Sequence, residues 1–295
     1  YMYDRKSGVK PNYYNSYRLY DALWGNFSLS FSGNLAKFNL FGEVAADHGG
    51  TIAFLAGFTR RFADVQTALL IRYYPASYIA PHAGAFSSLS GCYNQFGAVA
   101  LMNWQLLGAL SIEGMLDGCY YPKPRFNIRG KSAHLKGSVK LTYKSERETA
   151  SYSVELSNTW LSASNLYSFP TNKVALAVNA DFLIGDRFSL GVRSRHSVIL
   201  KKYSIATGIK AGCNLRKFDM KGGITLYDAR LWANRLYDYE SDLPSTYGAA
   251  LLYGRGVSGY MLLKYGVSEN TALYAKFSSA RGSQYIKLGL KVKLN

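Results

Sequence analysis

The sequence predicts an all-β protein, a transmembrane antiparallel up-and-down β-barrel of about 14 strands, with 12 to 16 in range. Three observations carry this. Apolar and polar residues alternate over long stretches, turn residues recur between those stretches, and the composition suits strands. Of 295 residues, 48% are hydrophobic, 25 are tyrosine, 15 phenylalanine and 28 glycine, but only 7 are proline. Aromatic and β-branched side chains fit a pleated surface, and glycine fits the bends between strands. The apolar content excludes disorder throughout, and charged residues, at 18%, fall below the share usual in soluble domains.

The alternation is clearest near the end of the chain. Ile286, Leu288, Leu290, Val292 and Leu294 share one face, and Lys287, Gly289, Lys291 and Lys293 the other. Leu135, Gly137, Val139, Leu141 and Tyr143 oppose Lys136, Ser138, Lys140, Thr142 and Lys144. Phe188, Leu190 and Val192 oppose Arg187, Ser189, Gly191, Arg193 and Arg195. The same pattern runs through Ala150–Ser157, Tyr203–Gly212 and Thr271–Phe277. Successive strand side chains point to opposite faces, so each segment has an oily and a wet face. A soluble sandwich would turn the oily face inward. Strand lengths near the roughly 9–11 residues that cross a bilayer, small residues on the wet face and tyrosines near segment ends favour a barrel in lipid.

The stretch 96–112, FGAVALMNWQLLGALSI, is uncharged and approaches the length of a short spanning helix. Its central Asn103, Trp104 and Gln105 argue instead for two strands meeting at a polar turn. Short breaks are expected at 47–50, 61–64, 145–148, 185–186 and 268–270, and longer ones at 75–95, 117–134, 160–173 and 228–248. Short turns on one rim with longer loops on the other is the plan of outer-membrane barrels. Residues 1–24 read as an N-terminal arm, with Arg5–Pro11 its leading part, and 25–295 as the barrel. The opening Tyr1-Met2-Tyr3-Asp4 has no charged-apolar-small leader, as expected of a mature or trimmed product or one never exported. Cys92, Cys119 and Cys213 are dispersed and make neither a disulfide framework nor a zinc pattern; they are expected to be small buried or lipid-facing residues.

Two blocks resemble a known family. One is Arg72-Tyr73-Tyr74-Pro75-Ala76-Ser77-Tyr78 followed by His82-Ala83-Gly84-Ala85-Phe86-Ser87; the other is Leu236-Tyr237-Asp238-Tyr239-Glu240-Ser241-Asp242 followed by Tyr253-Gly254-Arg255-Gly256. With Phe41-Gly42-Glu43-Val44-Ala45, they are similar to the C-terminal outer-membrane β-barrel of exported Bacteroidota proteins that carry a competence-type helix-hairpin-helix segment. No such helical repeat is visible in this chain. The resemblance implies a Gram-negative outer-membrane protein, and only weakly a DNA-related role.

The formal net charge is +17, from 35 basic and 18 acidic residues. Lys136, Lys140, Lys144, Arg193, Arg195, Lys210, Lys276, Lys287, Lys291 and Lys293 all oppose the oily stripe and are expected to line the lumen. Fixed cations there would favour anions or a polyanion. The plainer reading pairs them with inward acids such as Glu43, Glu113, Glu155 and Asp181, filling a narrow interior. Tyrosines among the cations leave base stacking by a nucleic acid open, although aromatic girdles account for the same residues. Asp238–Asp242, the most acidic patch, is expected to be a solvated loop, with cation binding or pairing to a basic loop as the alternative.

No enzyme is expected. His196 and Ser197 are adjacent and so point to opposite strand faces, Asp47-His48 sits at a turn, and no familiar catalytic motif or metal-ligand cluster is present. No cofactor is expected. The functional expectation is a non-enzymatic porin-like barrel passing anionic solutes, with an anchoring subunit of a larger outer-membrane or secretion complex, or a DNA-uptake barrel, as alternatives. Expected partners are outer-membrane lipid and lipopolysaccharide, and other outer-membrane or periplasmic proteins.

Overall fold

The structure is a computed structural model, and it describes residues 2–4, 12–16, 23–147 and 149–292. The strands are β1 (Met2–Asp4), β2 (Leu23–Leu35), β3 (Phe38–Asp47), β4 (Ile52–Phe62), β5 (Val65–Tyr74) and β6 (Gln95–Leu107). There follow β7 (Leu110–Tyr121), β8 (Ser132–Lys144), β9 (Ala150–Leu161), β10 (Thr171–Ile184), β11 (Phe188–Ile199) and β12 (Lys202–Leu215). The last are β13 (Phe218–Ala229), β14 (Leu236–Glu240), β15 (Gly248–Leu252), β16 (Gly254–Gly266), β17 (Thr271–Ala280) and β18 (Ser283–Val292).

The expected all-β, up-and-down barrel class is borne out. Sixteen strands form one sheet in sequence order, broken only where β13 neighbours β16. β14 and β15, inserted between them, form a separate two-stranded sheet. Sixteen is the upper end of the expected strand count. Residues 5–11 of the expected arm lie outside the described residues, whereas Met2–Asp4 pairs with Leu23–Gly25, so the sheet takes in part of the arm.

Turn chemistry explains the connections. Ala36 and Lys37, and likewise Leu200 and Lys201, both take positive φ, the two-residue turn whose twist matches flanking strands. Connections after β2, β4, β6, β8, β10, β12 and β16 are short, while the long segments 75–94, 122–131, 162–170 and 230–253 all follow odd-numbered strands. Within the first unit, antiparallel alternation puts 75–94, 122–131 and 162–170 at one edge of the strands.

The uncharged stretch is a hairpin, but its turn is Gly108-Ala109, not the expected Asn103-Trp104-Gln105, which lies within β6. Glycine before a small residue makes the tight turn, and the amides and the indole sit near the strand's end, where polar groups are tolerated.

Alternation runs opposite to that of a soluble sandwich. On β9, Tyr152, Val154, Leu156 and Trp160 are exposed, while Ser153, Glu155, Ser157 and Thr159 between them are half-buried. On β18, Ile286, Leu288 and Leu290 are 71%, 77% and 65% exposed. Rows of bare hydrocarbon on spanning-length strands are what a bilayer covers. Among the described residues, no helix is long and apolar enough to cross a membrane. All three cysteines are free; Cys92 and Cys119 are buried and Cys213 is half-buried in the outward row of β12.

The chain divides into two compact units. The first comprises Tyr1–Leu106, Ile112–Val139 and Asn158–Asn172; the second comprises Leu107–Ser111, Lys140–Ser157 and Lys173–Asn295. In the first, segment 75–94 folds onto the inner face, where Tyr78 and Cys92 pack with Ala53 and Tyr74. In the second, the β14–β15 hairpin does the same, packing Leu236, Ala250 and Leu252 against Ala206 and Tyr227.

Candidate functional site

The hairpin of the second unit defines the site. On β14 the pattern alternates: Leu236, Asp238 and Glu240 are buried, while Tyr237 and Tyr239 point away. Leu236 lies across from Leu252, Asp238 from Ala250 and Glu240 from Gly248, so the wall-facing row is apolar at one end and acidic at the other. The expectation of a solvated acidic loop is therefore corrected. These carboxylates lie under the hairpin because inward strand positions supply cations to meet them, which is the basic-partner alternative, met by strands and not by a loop.

Each acid has its own partners. Asp238 Oδ1 accepts from Lys210 Nζ at 2.7 Å and lies 3.8 Å from the Arg195 guanidinium, while Thr225 Oγ1 donates to Oδ2 at 2.6 Å. Lys210 and Arg195 also donate to the backbone carbonyls of Tyr239 and Tyr237. Glu240 Oε2 accepts from Ser278 Oγ at 2.9 Å and lies 2.9 Å from Lys276 Nζ, an ion pair without hydrogen-bond alignment. Asp242 Oδ2 accepts from Lys287 Nζ at 2.8 Å and lies 3.4 Å from Lys276 Nζ. Lys276 is 1% exposed and rests 5.6 Å over the Tyr260 ring.

Close approach depends on glycine. A Cβ on Gly248 would stand 2.8 Å from Lys276 Nζ and 3.1 Å from Glu240 O, and one on Gly289 would stand 2.6 Å from Leu243. Two anchors flank the ion pairs: Leu243 covers Gly289 of β18, and Asn234, in a 3-10 turn at Trp232–Asn234, ties to β11. Asn234 accepts from Ser197 Oγ and donates to the carbonyls of Ser197 and Lys202.

Of the ten expected lumen cations, the structure gathers Arg195, Lys210, Lys276 and Lys287 around the hairpin acids. Arg193 pairs with Asp181, as the plainer reading has it. Lys136, Lys144 and Lys291 make no ion pair among the described residues, and Lys140 is half-buried on β8. Lys293 lies outside the described residues.

Sequence reasoning missed the matching arrangement in the first unit. Arg72, wholly buried on β5, donates to Asp117 Oδ1 at 2.8 Å and Ser88 Oγ at 2.7 Å. His134 Nε2 lies 3.1 Å from Asp117 Oδ2, and Tyr121 OH 2.8 Å from His134 Nδ1. This network holds segment 75–94 through Ser88, helped by Asp47, whose carboxylate accepts from Thr51 N and Ile79 N. Asp47 is thus a conformational turn residue. The signal for Arg72 was its inward parity between Leu70 and Tyr74, which only a strand register with Asp117 makes meaningful.

Burial acts to raise the Asp242 carboxyl, but the Lys287 hydrogen bond, the Leu243 N–H and the Lys276 charge outweigh it and hold it below the ordinary carboxylate range. A depressed carboxylate stabilises the folded arrangement fully above its unfolded value of about 3.9, and that contribution fades as pH falls through the lower folded value. Protease cleavage within 241–247 of the detergent-solubilised protein is therefore expected to be slow at pH 7 and to rise below about pH 4. Equal rates at both would show that Asp242 does not hold the tip.

No family model matches the chain, and no curated protein does. Among solved structures, a variant of the Rhodopseudomonas blastica porin superposes on 99% of this chain and 95% of its own, with a TM-score of 0.47 and 10% identity. A triple mutant of that porin gives 0.46 and 9%, with the same coverage.

Proposed function

We propose that this chain is an outer-membrane β-barrel that passes small solutes and prefers anions. The observation that supports it is the bare oily row on strands such as β9 and β18, opposite a polar row that on β9 is half-buried. A folding core would bury the oily row instead. Beneath the hairpin, four cations meet three carboxylates, and Lys136, Lys144 and Lys291 add to the inward charge. Fixed positive charge in a pore raises the local concentration of anions. The purified protein, reconstituted in planar bilayers, should give steady conductance with a reversal potential shifted toward the anion. Zero conductance from folded, inserted protein would sink the pore.

We also infer that the chain is the barrel of an exported Bacteroidota protein of the helix-hairpin-helix kind, surrounded by outer-membrane lipid. Support comes from the blocks at 72–78 with 82–87 and 236–242 with 253–256, together with 41–45, which carry the resemblance.

A further inference from the structure

The outward rows of β11 and β12 are apolar except at one place. Phe188, Leu190, Val192 and Val198 of β11 and Tyr203, Ile205 and Ile209 of β12 present hydrocarbon or ring. Between them stand Ser194 and His196 of β11 and Thr207 of β12. Parity fixes their side: Arg195, Ser197 and Lys210 of these strands take the inner face, where they meet the hairpin and its Asn234. His196 has Ser197 as chain neighbour but Ser194 as same-face neighbour.

The polar groups are connected. Ser194 Oγ lies 2.8 Å from His196 Nε2 and 3.0 Å from Thr207 Oγ1, and His196 Nδ1 bonds the Tyr203 hydroxyl. Ionisable groups facing lipid are costly, and by default they mark function. Hydroxyl, imidazole and a third group orienting the imidazole is the order of an activated nucleophile.

The geometry points to a serine acyl-hydrolase site on the lipid-facing surface, in which Ser194 is the nucleophile and His196 the general base toward a carboxylic ester of a membrane glycerophospholipid. Tyr203 is a positioning residue: its hydroxyl accepts from Nδ1–H and leaves Nε2 to take a proton. Ser194 Oγ bonds to the ester carbonyl carbon as its proton passes to Nε2, and the Thr207 hydroxyl donates to the resulting oxyanion. The carbon–oxygen bond to the glycerol breaks, and that alkoxide takes the proton from Nε2. A water then gives a proton to Nε2 and bonds to the acyl carbon; the fatty acid leaves and Ser194 regains its proton. Two hydrolytic half-reactions balance without oxidant or cofactor.

Position fits the substrate. His196 is three residues from Ile199, the end of β11, or about 10 Å along the strand. Toward that edge opens a cleft of about 450 Å³ lined by Lys202, Tyr203, Ile205, Asp228, Arg230 and Leu231. Asp228 holds the Arg230 guanidinium there with two 2.9 Å hydrogen bonds. Tyr203 belongs to both the cleft and the polar row.

The test uses folded protein in detergent micelles carrying phosphatidylglycerol. A fluorophosphonate probe should label Ser194, and fatty acid should be released. Ser194→Ala and His196→Ala should each lower release by at least about a hundredfold. Tyr203→Phe should keep the label while lowering kcat and moving the pH profile, which a merely structural tyrosine would not do. Bilayer conductance of Ser194→Ala should equal the parent's, so failure of the pore and failure of the esterase are read separately. An unlabelled Ser194 in folded protein, or Ser194→Ala releasing fatty acid at the parental rate, overturns the assignment.

Discussion

Neutralising the three hairpin acids together, as Asp238→Asn, Glu240→Gln and Asp242→Asn, should raise single-channel conductance severalfold and move the reversal potential further toward anions. The reason lies in burial. Lys276 is 1% exposed and, among the described residues, has only Glu240 and Asp242 as charge partners, so without them it must reach water. Stranding one member of a buried pair costs about 3–5 kcal/mol, enough to lift the acidic end of the hairpin off the wall. The apolar end, Leu236 and Leu252 on Ala206 and Tyr227, is untouched, so the hairpin should pivot rather than detach. A control separates release from simple gain of charge. Lys276→Met with Glu240→Leu replaces the buried pair by hydrocarbon, a change that is often neutral. Conductance of that double variant should stay at the parental level. A triple variant with unchanged conductance and selectivity would show that the hairpin does not limit passage.

Much of this was legible in the chain because period two is a local property. The oily rows of β8, β9, β11 and β18 read directly from sequence, since each side chain's face follows from its parity alone. The turn within 96–112 was misplaced because polarity marks a strand's end as well as a turn, while Gly108-Ala109 looks unremarkable inside an apolar run. Arg195, Lys210, Lys276 and Lys287 share the face that the hairpin covers, but their partners were hidden. Asp238 meets Lys210, 28 residues away, only because a loop doubles back as a hairpin. No local pattern separates an acidic loop in water from one folded under its own hairpin. His196 shows the same limit in another form. Its chain neighbour Ser197 draws attention, but its Cβ shares a face with Ser194, and whether the two touch depends on rotamers.

Replacing Arg72 by alanine should be the most destabilising single change in the first unit, by about 3–5 kcal/mol in urea unfolding of the inserted protein. Arg72 Nη2 bridges Asp117 and Ser88, and its removal leaves the Asp117 carboxylate buried with His134 and the Ser88 hydroxyl. Ser88 is the link to segment 75–94, so the loss should be local as well as global, and protease should cut within 75–94 in the variant well before the strands unfold. Arg72→Lys should recover only part, because its shorter side chain must bring one ammonium to both acceptors that Nη2 bridges. Tyr121→Phe removes one neutral hydrogen bond, to His134, and should cost only about 1 kcal/mol. The ordering matters more than any one value. Arg72→Ala costing no more than Tyr121→Phe would mean that Asp117 is solvated in the folded protein, and that segment 75–94 is held by Tyr74, Tyr78 and Cys92 packing instead.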